Sequence, residues 1–127
     1  MTAILGISAF YHDSAAAIIV DGKIIAAAQE ERFSRIKHDY SYPEKSIDFV
    51  LNYSNLKLSD INHIVFFENP FLKFDRLLKT YFSFAPKGFN SFSTSMSIWL
   101  KEKLFQKKFL FNKLKKQDKN FIDINKI

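Results

Sequence analysis

The stretch Ile4–Lys37, ILGISAFYHDSAAAIIVDGKIIAAAQEERFSRIK, decides how this chain folds. Two apolar runs of strand length, Ile4–Ser8 and Ala15–Val20, are separated by a short polar loop. Asp21-Gly22 is a two-residue turn of the kind that needs positive φ, and Lys23–Gln29 follows it as a third strand. The first two strands are apolar without interruption, which predicts a sheet covered on both faces. The loop between them carries His12-Asp13-Ser14, a titratable ring, a carboxylate and a hydroxyl where strand packing requires none. That loop is where chemistry is expected.

Outward from this stretch, Pro43 and Glu44 open a helix to about Asn52, with Ile47, Val50 and Leu51 at spacings of three and four. Ser59-Asp60 marks a turn, and His63–Phe67 reads as a fourth strand. Two helical stretches, about 70–83 and 93–116, flank Pro86 and Gly88, and the tail from Gln117 has no clear period. The order is α/β, with β-strands first and helices after. Met96, Trp99, Leu100, Leu104, Phe105, Phe109, Leu110, Phe111 and Leu114 give the last helix more apolar surface than the preceding sheet can cover. The remainder of a larger fold, or a partner chain, is expected to cover it.

At 127 residues the chain is one domain at most. It has no cysteine, which excludes disulfides, thiolate catalysis and cysteine zinc sites. No basic leader precedes an apolar core, and no run approaches the roughly 20 apolar residues of a membrane span, so a cytoplasmic location is expected. The net charge of +6 is unevenly placed: residues 1–70 hold 9 acidic and 6 basic side chains, residues 71–127 hold 4 and 13. The basic excess therefore belongs to the second half and not to the loop.

The run Gly6-Ile7-Ser8-Ala9-Phe10-Tyr11-His12-Asp13-Ser14-Ala15-Ala16, the turn Asp21-Gly22, and Gln29-Glu30-Glu31-Arg32-Phe33-Ser34-Arg35-Ile36-Lys37-His38-Asp39 resemble the N-terminus of the NodU-type O-carbamoyltransferases. The likeness is close over residues 3–67 and loose beyond. It implies a partial actin-like, ribonuclease H-like fold: a strand-rich motif region, 1–67, then a helical, basic region, 68–127. In that family a YrdC-like domain makes carbamoyl-adenylate from carbamoyl phosphate and ATP. The actin-like domain then passes the carbamoyl group to the hydroxyl of a small-molecule acceptor, with a divalent metal held by a later histidine-rich motif.

The chain has only His12, His38 and His63, none paired at ligand spacing, so it is expected to be an N-terminal portion without metal or cofactor of its own. Complete catalysis by these residues alone is not expected.

His12 is the candidate catalytic residue, because an imidazole can accept a proton from an attacking hydroxyl near neutral pH, and the resemblance places it at the transfer site. The alternative is a loop histidine that caps a strand end. Asp13 is a candidate for substrate binding, for orienting the imidazole, for binding a metal-bound water, or for an Asx turn. Lys37 suits carbamoyl or phosphate oxygens as a point charge, and the resemblance puts a functional lysine there. Ser14 reads as a turn residue. Arg32 and Arg35 read as structural, with Glu30 and Glu31 as neighbouring ion-pair partners, and His38 and His63 as structural residues outside any constellation.

A second class of function rests on eight lysines within 101–119: a non-catalytic basic module binding nucleic acid or an anionic membrane. The interleaved apolar residues favour a solvated basic face instead, so neither a membrane nor a nucleic-acid partner is expected. An actin-like sugar kinase is disfavoured, since Gly6-Ile7-Ser8 stands where such a loop needs Asp-x-Gly.

Overall fold

The computed structural model describes residues 1–67, 70–103 and 105–127, with the side chains of 70, 71, 102 and 103 outside the description. They form two compact units, 1–67 with 111–127, and 68–110.

In the first unit, β1 (Ala3–Ser8), β2 (Ala15–Val20) and β3 (Lys23–Gln29) form an antiparallel meander. The Asp21-Gly22 turn joins the last two, both residues in the left-handed region at φ 48° and 79°. The mirror-image hairpin turn requires this conformation, and its twist matches that of the strands. Thr2 N–H donates to Asp21 Oδ1 at 2.7 Å, and Asp21 N–H returns to Thr2 C=O at 2.9 Å, fixing the turn against the chain start. After α1 (Glu31–Ser34), α2 (Glu44–Ser54) crosses over and packs on β2 and β3. The chain then returns as β4 (His63–Phe66), parallel to β1, giving the sheet order β3-β2-β1-β4.

Alternation along the strands places Leu5 beside Ile18 and Ile64, and Ile7 beside Ala16, on one face. These residues and Ile47, Val50 and Leu51 of α2 are buried, and together they form the core. The other face does not match the expected cover on both sides. Ile24 is 73% exposed and Val65 56%. Small residues, Gly6, Ala15 and Ala17, occupy much of that second face along β1 and β2, where they are half-buried.

Residues 93–116, expected as one helix, are two: α4 (Phe89–Lys103) and α5 (Gln106–Gln117). The C-terminal part of α5 belongs to the first unit. There Gln117 Nε2 donates to Glu44 C=O at 3.0 Å and to Asp48 Oδ1 at 2.6 Å, and Tyr42 O–H donates to Gln117 Oε1 at 2.8 Å. Burial, and then the carboxylates of Glu44, Asp48 and Glu30, hold the Tyr42 phenol well above its ordinary range. Leu114 and Phe121 are fully buried in this unit, so the tail without a clear period still contributes to the core.

In the second unit α3 (Pro70–Phe84) packs on α4, with Phe74 against Trp99 at 4.8 Å and Tyr81 stacked on Phe92 at 4.4 Å. Of the apolar set expected on the last helix, Trp99, Leu110 and Leu114 are buried, whereas Leu100, Phe105 and Phe109 are exposed. Leu104 lies outside the described residues. No helix among those described is long and apolar enough to cross a membrane.

Candidate functional site

The β1–β2 loop turns in a few residues, and it does so through two non-glycine positions in the left-handed region, Phe10 at φ 68° and Asp13 at φ 47°. Asp tolerates that conformation; a bulky Phe does so only where its surroundings enforce it. They do: Phe10 N–H donates to Tyr40 C=O at 2.8 Å, and its ring stacks on Phe66 at 6.1 Å. Ser14 N–H donates to Asp39 C=O at 2.7 Å. The loop is thereby laced to a second one, residues 35–43, which leaves α1 through Arg35 at φ 61° and passes His38 at φ 56°.

Glu30 sets the position of both loops. Its N–H donates to Ser14 C=O at 2.8 Å, while its buried carboxylate accepts Ser46 N–H at 2.8 Å and Lys45 N–H at 3.3 Å. Helix α2 begins at Pro43 without a side-chain cap. Its first-turn donors need an acceptor from elsewhere, and Glu30 supplies it. Glu31 Oε2 accepts the N–H of His38 at 3.0 Å. Both glutamates thus serve backbone donors, not the Arg32 and Arg35 ion pairs expected from their spacing.

At the junction, Asp13 lies between two imidazoles. Its Oδ2 is 2.8 Å from His12 Nδ1, and its Oδ1 is 2.8 Å from His38 Nδ1. An ionised carboxylate only accepts, so both Nδ1 atoms carry hydrogen and Nε2 of each neutral ring holds the lone pair. The bonds to His38 and then His12 hold the Asp13 carboxyl below its ordinary range. The bond to Asp13, reinforced by the charges of Asp13 and Glu31, raises His38 above its own. Asp39 is lowered by the hydroxyls of Ser41 and Ser34.

The structure therefore brings His12 and Asp13 into direct contact and places Lys37 on the second loop, exposed and one residue before His38. Ser14 is 1% exposed, and its Oγ has no partner among the described residues. That burial suits a turn residue better than a nucleophile. His63 sits exposed at the start of β4. His38, read from the sequence as outside any constellation, is the residue that reading missed. It lies 25 positions from Asp13, and no local spacing signals the contact.

Ligand-type atoms of Asp13, Glu31 and His38 come within 4.8 Å of one another, the arrangement nearest to a cation site among the described residues. Hydrogen bonds within the cluster account for that closeness, and no metal is assigned there. The metal centre of closely spaced histidines that the resemblance implies does not fit these residues. Two of the three histidines share one carboxylate through Nδ1, and the third is on β4.

Comparison with known proteins decides what this geometry belongs to. A family model described as carbamoyltransferase N-terminus matches residues 3–126. The chain belongs to that family. The match extends well past residue 67, into the helical region. An uncharacterized protein of Synechocystis sp. is 55% identical over 107 residues, 84% of this chain and 17% of that protein. The nodulation protein NolNO of Sinorhizobium fredii is 47% identical over 58 residues, 46% of this chain and 8% of its own. An uncharacterized protein of Methanocaldococcus jannaschii is 38% identical over 53 residues, 42% of this chain and 10% of its own. The chain thus spans less than a fifth of each of these three relatives.

Proposed function

We propose that this carbamoyltransferase N-terminal domain supplies the proton acceptor for carbamoyl transfer to a hydroxyl group. The observation that carries the proposal is the 2.8 Å bond from His12 Nδ1 to Asp13 Oδ2. It fixes the tautomer, orients the ring and leaves Nε2 as the basic atom, the arrangement a general base requires. In the step we propose, His12 Nε2 takes the proton of an acceptor hydroxyl while its oxygen bonds to the carbamoyl carbon. The carbamoyl–phosphate bond of a carbamoyl-adenylate donor breaks, and AMP leaves with the electron pair.

Asp13, with both oxygens given to imidazoles, acts by orienting His12. Lys37, exposed on the adjoining loop, is the cation for the donor's carbonyl or phosphate oxygens. The sheet order β3-β2-β1-β4, with β1 parallel to β4, supports an actin-like, ribonuclease H-like setting for this site. ATP, carbamoyl phosphate and a divalent metal are proposed for the longer enzyme, and no step here runs through the metal.

The test is His12→Gln in a full-length carbamoyltransferase carrying this segment. Carbamoyl transfer should fall by roughly 10²- to 10⁴-fold, the usual contribution of a general base, with adenylate formation intact. Transfer within threefold of wild type would remove His12 from the mechanism.

A further inference from the structure

The carboxylate that orients His12 is shared. Asp13 gives Oδ2 to His12 and Oδ1 to His38, each at 2.8 Å, so two imidazoles are balanced by one negative charge. The two rings are not equivalent. His38 also has Glu31 beside it, whose Oε2 accepts the His38 N–H at 3.0 Å. Lys37 and Asp39 flank His38 in the chain, and Asp39 is turned to Ser41, whose N–H and O–H donate to its Oδ1 at 2.9 and 2.6 Å. His12 has Asp13 as its carboxylate and the Tyr11 ring at 4.6 Å.

We propose that His38 is a positioning residue for His12: it holds the other oxygen of Asp13 and takes up the positive charge that this carboxylate can balance, leaving His12 in its neutral, proton-accepting form. The physical basis is the repulsion between two imidazolium ions around one carboxylate. Once one ring is charged, charging the other gains less. Glu31 lies on the His38 side and decides which ring is charged first. Asp13 thereby orients the base without driving it into its protonated, inactive form. The proposal deepens the carbamoyl-transfer reading and rests on it for the meaning of the word base, but the coupling itself can be measured without any substrate.

The measurement is a histidine ring NMR titration of this chain carrying His63→Gln, so that only His12 and His38 report. Replacing His12 with Gln should move the His38 titration to higher pH, because His38 then has the carboxylate to itself. His38→Gln should move the His12 titration in the same direction, since coupling between two sites is reciprocal. Gln can still donate to Oδ1, so this variant removes the charge and keeps the hydrogen bond. In Asp13→Asn both curves should fall, and neither should respond to replacement of the other ring. Both side chains are mostly exposed, 61% for His12 and 65% for His38, so neither Gln variant removes core packing.

In a full-length carbamoyltransferase carrying this segment, His38→Gln should cost about tenfold in transfer rate under mildly acidic conditions. The rate should return to wild type under mildly alkaline ones; a purely structural role would give a loss independent of pH. Titrations of His12 and His38 that ignore each other overturn the proposal, even if His12 proves essential for transfer. Coupled titrations in a protein that transfers no carbamoyl group would instead leave the clamp intact and overturn the reaction assigned to it.

Discussion

Replacement of Glu30 tests the link between fold and site most directly. The residue is 4% exposed, and its carboxylate accepts two N–H groups of the first turn of α2, at 2.8 Å from Ser46 and 3.3 Å from Lys45. No side chain of the helix itself caps that turn. A hydrogen bond to a charged group contributes about 1.5–3 kcal/mol, and a buried donor left unpaired costs about 1–3 kcal/mol. Ser46 is fully buried and makes the shorter bond; Lys45 is exposed and its bond is long, so water can replace much of it. Counting Ser46 in full and Lys45 as a small addition, Glu30→Ala should destabilise the first unit by about 2–4 kcal/mol.

Glu30→Gln separates charge from shape. The amide oxygen can keep the Ser46 bond, but the helix N-terminus loses the anion that complements its dipole, at a cost of about 1–2 kcal/mol. Urea unfolding followed by far-UV circular dichroism should order the stabilities as wild type, Glu30→Gln, Glu30→Ala, with the Ser46 amide losing exchange protection in the same order. A Glu30→Ala protein within about 0.5 kcal/mol of wild type, with the Ser46 amide still protected, would refute the capping argument. The outcome also matters for the site, because Glu30 N–H donates to Ser14 C=O and so ties the His12 loop to the start of α2.

Leu5 is fully buried between Ile18 and Ile64, so Leu5→Ala should cost about 2–5 kcal/mol in the same unfolding assay, and a loss under 1 kcal/mol would show that the core closes over the gap. At Gly22 an added Cβ would meet nothing within 4 Å, but φ is +79°; Gly22→Ala should therefore cost about 1 kcal/mol through the backbone alone, and a neutral result would refute the left-handed turn. Asp13, lowered by its imidazole partners, contributes stability that is present above its ordinary value of 3.8 and lost as pH falls through the folded value. His38, raised by Asp13, contributes stability that is present below its ordinary value of 6.5 and lost as pH rises through the folded value. The pair thus stabilises most between those limits, and Asp13→Asn should flatten the dependence of Tm on pH on both sides; an unchanged profile would contradict it.

What the sequence made legible is what short-range chemistry determines. Asp21-Gly22 names its own turn, and the three strands around it are fixed by that turn and by apolar length, so Ala15–Val20 and Lys23–Gln29 agree with the observed bounds. Pro43 and the 47, 50, 51 spacing likewise place α2. The division between α4 and α5 was not legible, because no glycine or proline interrupts 93–116 and its Lys/Phe alternation continues through the break. The role of Glu30 was partly accessible. A helix opening at Pro43 with no Ser, Thr, Asp or Asn cap requires an outside acceptor, and a glutamate directly after the third strand is a reasonable source. Proximity to Arg32 and Arg35 obscured it.

The candidate site divides in the same way. His12 and Asp13 are adjacent in sequence, and a side chain can reach its neighbour, so their pairing is available to local reasoning. His38 reaches Asp13 across two loops that are laced through Phe10–Tyr40 and Ser14–Asp39, contacts between residues far apart in the chain. A carboxylate with one imidazole is an orienting device; a carboxylate with two is also a means of distributing charge between them. The second function depends on tertiary structure. Glu30 joins the two loops that carry His12 and His38: through Ser14 it holds one, and through the start of α2 it limits the other.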